Sequence, residues 1–289
     1  MKTLTVCLFM AAHTLLWSAE AAKESSGYES QATLQYEYID FSGSRQKEDG
    51  NRWTLGLKHK EGVHLFQAAA EKTDTNTYQP PLKDNLDVTK LYFKYEGELA
   101  PRHLFTANFI TIWDNMVPTD NGNIYGLGYA YRFAPKAFAA VNGYFSDYED
   151  FDVYQVDLRV GAGRQIGGVD ASAELFAKSI FVESCTNVFC ANADSSYFAP
   201  GFKLKAQKNG YFVHAAALFG KRVFAVLQDG MMVQHHAMEF TDTYMVGIGK
   251  RWERFELKFR YAYQKATELP LNNEGVIVRN YMVRVGYSF

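Results

Sequence analysis

From about residue 30 onward the chain alternates apolar and polar residues singly rather than in helical triplets. In 254–264, Phe255, Leu257, Phe259, Tyr261 and Tyr263 share one parity, and Glu256, Lys258, Arg260 and Gln264 hold the other. Leu91, Phe93 and Tyr95 oppose Lys90, Lys94 and Glu96 in the same way. So do Val156, Leu158 and Val160 against Gln155, Asp157 and Arg159, and Tyr125, Leu127, Tyr129, Tyr131 and Phe133 against Gly126, Gly128, Ala130 and Arg132. Successive strand side chains point to opposite faces, so this period predicts strands with one apolar and one polar face. Fourteen segments near the ~9–11 residues of a tilted membrane-crossing strand can be drawn: 31–41, 51–60, 62–73, 88–97, 102–113, 122–133, 136–147, 151–162, 169–182, 196–206, 210–220, 242–252, 254–266 and 276–289. In 62–73 and 136–147 the faces do not resolve, because Ala-rich stretches fit either side.

The links sort by length. After even-numbered strands they are tight, at Glu61-Gly62, Gly97 to Pro101, Ala134-Pro135, Gly163 to Gly168, Gln207 to Gly210 and Trp252 to Arg254. After odd strands they are longer and polar, at 42–50, 74–87, 114–121, 183–195, 221–241 and 267–275, except near Tyr148 to Asp150. A soluble β-sandwich has no reason to sort its loops this way. A transmembrane antiparallel up-and-down β-barrel does, with short periplasmic turns and longer extracellular loops. The charged faces must then look into a lumen, because a charge facing mid-bilayer lipid costs ~2–4 kcal/mol. The lumen is accordingly expected to be polar and hydrated.

Both ends add to this picture. Met1-Lys2 followed by the apolar run Thr3 to Trp17 and the small-residue stretch Ser18-Ala19-Glu20-Ala21 has the layout of a secretory signal peptide, expected at residues 1–21 with the barrel domain at 22–289. The run is shorter than the ~20 residues of a spanning helix, and Cys7 lies inside it rather than at a cleavage site. At the other end, Tyr281, Val283, Val285, Tyr287 and Phe289 alternate with polar or small residues. Here the chain resembles bacterial outer-membrane β-barrels, which commonly close on an aromatic strand ending in Phe. The resemblance implies a Gram-negative outer membrane with its lipid and lipopolysaccharide, and insertion by the assembly machinery that reads the final strand.

Composition fits this reading. Phe 22, Tyr 19 and Trp 4 make the chain 16% aromatic, as interfacial girdles require. The mean hydropathy of −0.25 is no objection, since lipid-facing and lumen-facing residues average out. A formal charge of −2 excludes a generally basic nucleic-acid binder. Cys185 and Cys190 lie in a polar segment of an exported chain, where they are expected to pair; free thiols are the alternative, and no His or third Cys nearby suggests a metal site.

No enzyme chemistry stands out. No His is followed at +2 by Ser, as a barrel phospholipase would need. Asp150-Phe151-Asp152 resembles half of an omptin-like site, but no Asp-x-His exists, nor any Gly-x-Ser-x-Gly or His-Glu-x-x-His. Neither a catalytic set nor a cofactor is predicted.

The polar faces place Arg52, Lys58, Lys90, Lys94, Arg132, Arg159, Lys178, Lys203, Lys205, Arg251, Lys258, Arg260 and Arg284 in the lumen, against Glu37, Glu96, Asp157, Asp170, Glu174 and Glu256. One-to-one pairing would leave seven basic groups bare. Basic rings select anions, so a mild anion preference is expected, with Lys258, Arg260, Arg284, Arg159, Lys94 and Lys203 as pore-lining bases. Lys258, Arg260 and Arg284 should form one basic wall. Inward Gly126, Gly128, Gly247 and Gly249 suggest open space. In 221–241, Val223, Ala225 and Leu227 alternate up to the favoured hairpin turn Asp229-Gly230, which predicts a hairpin running out beyond the membrane. Beside it, His235 and His236 among Met231, Met232 and Met238 read as an exposed arm, as soft copper ligands, or as a pH gate.

Length, fourteen strands, no plug domain and a modest third loop between Trp113 and Gly122 resemble monomeric fourteen-stranded porins of the outer-membrane G type. The long infolded third loop of trimeric general porins is missing. This resemblance implies a monomer passing small hydrophilic solutes, with the long sixth loop as gate. An adhesin or structural barrel with a blocked lumen is the rival.

Overall fold

The computed structural model describes residues 28–79, 82–115, 119–183, 185 and 192–289; the expected signal peptide lies outside them. The alternating segments become β1 (Tyr28–Ser42), β2 (Lys47–Glu61), β3 (His64–Thr77), β4 (Leu86–Ala100), β5 (His103–Asp114), β6 (Asn123–Ala134), β7 (Ala137–Tyr148), β8 (Phe151–Ile166), β9 (Val169–Glu183), β10 (Ser196–Lys208) and β11 (Tyr211–Leu218). After an inserted hairpin of β12 (Val226–Leu227) and β13 (Met232–Val233) come β14 (Met238–Arg251), β15 (Phe255–Glu268) and β16 (Asn273–Ser288). Fourteen of these close into one barrel in which each strand pairs with its sequence neighbour, β11 pairs with β14, and β1 pairs with β16. The seam is set by residues such as Leu34 opposite Val285 and Gln35 opposite Arg284, so no edge remains to be satisfied in lipid.

Turn chemistry explains the periplasmic end. Asn209-Gly210 has positive φ at both residues (50° and 79°), the two-residue form that matches strand twist. A Cβ at Gly210 would strike the Arg251 carbonyl. Apolar residues of the expected parity face outward: Leu127, Leu158, Val246, Ile248 and Phe259 are all exposed, as a lipid-facing band must be.

The interior has two zones. In the periplasmic half the inward residues are charged and polar. In the extracellular half apolar groups join them: Ile39, Val88, Ile110, Ile112, Ile124, Ile180 and Val278 are buried, beside buried polar groups such as Lys90 and Gln155. The expected polar, hydrated lumen therefore holds only for the lower half. This difference also corrects the hairpin. It forms with its turn at 228–230, where Gln228, Asp229 and Gly230 all have positive φ, but it folds down into the barrel instead of extending outward. Val223, Phe224, Ala225, Val226 and Val233 pack with Tyr92, Ile110, Tyr144, Tyr148, Phe151 and Ile180 in one apolar cluster. Leaving both surfaces wet would cost roughly 25 cal/mol per Å² of apolar area, and inward folding removes that cost. The two-residue turn between β7 and β8 brings Tyr148 and Phe151 together (ring centroids 4.8 Å), and both pack on Phe224.

Candidate functional site

The hairpin meets the wall through polar contacts as well. The side-chain amide of Gln155 on β8 substitutes for a strand edge: its Nε2 donates to the Val226 carbonyl and its Oε1 accepts from the Val226 N–H, both at 2.8 Å. Lys178 Nζ also donates to that carbonyl (2.9 Å) while paired with Asp157 (2.5 Å). At the tip, Asp229 accepts from Arg159 Nη1 at 2.8 Å and lies 3.7 Å from Lys203. At the root, the fully buried Arg222 donates to Gln234 Oε1 (3.2 Å), the Thr241 carbonyl (3.0 Å) and Thr243 Oγ1. Neutral acceptors satisfy this guanidinium, as a buried charge requires.

Below the tip lie two connected-wall cavities. One, of about 560 Å³, is lined by Lys203, Lys205, His214, Lys258 and Arg260 among others. The other, of about 490 Å³, is lined by Arg52, Lys58, Lys94, Arg251, Arg260 and Arg284 with Glu37, Glu71 and Glu256. Gln228 and Asp229 of the tip line both. Five of the six expected pore-lining bases, Lys94, Lys203, Lys258, Arg260 and Arg284, line these cavities, Arg260 bordering both, and Arg159 stands at the hairpin tip against Asp229. Lys258 stands opposite Arg284 in the β15–β16 register.

The pairing differs from a one-to-one count. Glu37 holds Arg52 (3.5 Å) and Arg260 (2.9 Å); Glu174 holds Arg159 (2.9 Å) and Lys203 (3.1 Å); Glu256 holds Arg251 and Arg284 (both 2.7 Å). Glu71, whose strand parity was ambiguous in sequence, also faces inward and takes Lys90 (2.8 Å) and Arg52 (3.5 Å). Lys94 pairs with Glu96 at 2.6 Å. Because single carboxylates bridge two cations, Lys58, Arg132, Lys205 and Lys258 are the bases of the expected set without an ion-pair partner among the described residues.

The inward glycines do not open space. Neighbouring side chains lie flat over them: the Tyr144 ring would be 2.6 Å from a Cβ at Gly126, and Asn142, His214 and Phe212 cover Gly128, Gly247 and Gly249. Glycine here accommodates a cross-strand ring.

His235 and His236 are not an exposed arm. Both are buried, with ring centroids 4.1 Å apart, and no ring nitrogen of either has a hydrogen-bond partner among the described residues. Burial, then the cations Lys90, Lys47 and Arg52, hold both imidazoles well below the ordinary histidine range. No group of three or more His, Cys, Asp or Glu able to hold a metal occurs among the described residues. Cys185 is disulfide-bonded; its expected partner Cys190 lies outside the described residues.

Sequence reasoning put Gln155 on the polar face but missed its grip on the hairpin, and it missed Glu71 and the apolar upper lumen. The signal for the last was present: Phe109-Ile110-Thr111-Ile112-Trp113 carries bulky apolar groups on both faces.

No family model matches the chain, and no curated protein matches it in sequence. Among solved structures it is similar to the Acinetobacter baumannii outer membrane protein Omp33, at 11% identity and TM-score 0.51, over 91% of this chain and 100% of that one. It is also similar to a bacterial polysaccharide outer membrane secretin, at 8% identity and TM-score 0.55, over 90% and 97%. The NanC porin structure aligns at 9% identity and TM-score 0.47, over 88% and 98%. The chain has the fold of an outer-membrane β-barrel.

Proposed function

We propose that this barrel is an outer-membrane pore for small hydrophilic solutes, with a mild preference for anions and with its own sixth loop as the gate. The observation that carries the reading is the charged lower lumen directly beneath a hairpin tip held by ion pairs. A wall built only to be filled has no need of cavities of about 490 and 560 Å³ lined by charged groups. An excess of bases over carboxylates raises the local anion concentration in such a cleft. In this conformation the apolar seat of the hairpin closes the upper lumen, so conduction requires the hairpin to leave it.

The proposal includes export through a signal peptide at residues 1–21, insertion through the C-terminal strand, and a monomeric barrel in lipid and lipopolysaccharide. It assigns no catalytic residue. Single-channel recording in planar bilayers is the direct test. Discrete open and closed levels are expected, with a zero-current potential on the anion side in a salt gradient.

The apolar seating of Val223, Phe224 and Ala225 favours a second reading, a structural barrel closed for good. The intact chain compared with one lacking the hairpin separates them. An intact chain that stays silent while the hairpin-deleted chain conducts would support the structural barrel and reject the gated pore; openings of the intact chain would reject the structural barrel.

A further inference from the structure

We propose that the wall formed by β10, β11, β14 and β15 near the periplasmic mouth is a binding site for a small divalent oxyanion, of the inorganic phosphate or phosphomonoester class. The inference rests on the pore reading, since it names a solute class for that lumen. Lys205 stands opposite His214 in the β10–β11 register, and His214 opposite Gly247 of β14. Gly247 and Gly249 in turn stand opposite Arg260 and Lys258 of β15. Lys205, His214, Lys258 and Arg260 line one cavity of about 560 Å³.

The acids near this cavity are already engaged. Asp170 holds Lys136 (2.8 Å), Glu174 holds Arg159 and Lys203, and Asp229 also lies against Arg159 and Lys203. Glu37 and Glu256 are occupied by Arg260 with Arg52, and by Arg284 with Arg251. Lys205 and Lys258 therefore face the cavity with no carboxylate among the described residues to neutralise them. Two uncompensated ammonium groups, with guanidiniums held in place beside them, ask for two negative charges on one compact acceptor. A tetrahedral oxyanion supplies both charges and several acceptor oxygens for charge-assisted hydrogen bonds. Chloride or acetate supplies one charge. Gly247 and Gly249 let the His214 and Phe212 rings lie flat against the wall beside the two lysines.

The test uses the full-length barrel in detergent at low salt, titrated with inorganic phosphate and followed by phosphorus NMR line width and calorimetry. Saturable binding is expected, with acetate at least about tenfold weaker. Lys205→Gln/Lys258→Gln should lower phosphate affinity by about a hundredfold and either single variant by about tenfold, roughly one charge-assisted hydrogen bond per tenfold. Lys72→Gln, an exposed extracellular charge, should leave it unchanged. Heat-modifiable migration checks that each variant is a closed barrel, and either single lysine variant replaces the double one if that fails to fold. Absence of saturation in the parent chain, or equal affinity in the lysine variants, overturns the site. Bilayer recording reads the pore separately. Conduction without phosphate binding refutes the site and keeps the pore, while binding without conduction supports the site and refutes the pore.

Discussion

His235 and His236 show how single residues can set the state of the gate. With the hairpin seated they are neutral, because burial and the charges of Lys90 and Arg52, with Lys47, disfavour a proton on either ring. Glu71 is occupied by Lys90 and Arg52, and Glu268 by Ser44 Oγ and the Arg45 N–H, and among the described residues no carboxylate bonds to either imidazole. With the hairpin withdrawn, both rings would titrate near the ordinary ~6.5. The seated state therefore binds fewer protons than the withdrawn one. Its stability is full above that range and is lost as pH falls below it, by up to ~1.4 kcal/mol per histidine per pH unit. Open probability should thus rise on acidification from pH 7 to 5, and His235→Phe/His236→Phe should flatten that dependence. An unchanged pH profile in the double variant would show that these rings are not the sensor. Asp229 acts at the other end of the hairpin. Asp229→Asn removes its contacts to Arg159 and Lys203 while keeping the turn, since Asn tolerates its left-handed φ of 58°. A half-exposed pair contributes about 1 kcal/mol, so the closed-to-open ratio should drop about fivefold at neutral pH in single-channel records.

At the scale of elements, the hairpin is the part that sequence placed only halfway. Strand bounds and tight turns were legible because a period of two and residues such as Asn209-Gly210 state them locally. The turn at Asp229-Gly230 was legible for the same reason. Its direction was not, because Val223 and Ala225 alternate identically whether the hairpin points out or in. What decides direction is the opposing wall, where Ile110, Ile112, Ile124 and Ile180 come from three other strands that meet only in the closed barrel. The charge pattern had the same limit: parity showed which bases face inward, but a carboxylate shared by two cations is a property of register. Glu37 meets Arg260 across 223 positions of sequence. Replacing residues 223–235 with a short Gly-Ser link should leave the fourteen-strand ladder closed, since no barrel strand lies in that range, and should give a channel without long closures. Peptide mapping of the unreduced chain should join Cys185 to Cys190 in the loop after β9. Ready alkylation of both without reductant would reject that bridge.

For the whole molecule, the question is whether the lumen's charge excess sets ion preference. Lys258, Arg260 and Arg284 lie on adjacent strands of one wall, with Lys258 directly opposite Arg284. Changing all three to Gln removes charge while keeping a polar side chain able to hydrogen-bond. The fold should survive, because each affected carboxylate retains a second cation: Glu37 keeps Arg52 and Glu256 keeps Arg251. The closed ladder, with Glu37 also held by Asn280 at 2.7 Å, does not depend on these bases. Unheated protein should therefore still migrate faster than boiled protein. The lumen meanwhile loses three positive charges from the half that solutes enter from the periplasm. In a salt gradient the zero-current potential should shift toward cation preference. The parent chain's own preference should weaken as salt rises, because the Debye length falls from ~10 Å at 0.1 M to ~3 Å at 1 M. Near 1 M salt, parent and variant should converge. A shift that persists there would point to altered pore dimensions instead, and no shift at any salt would show that this wall does not set selectivity.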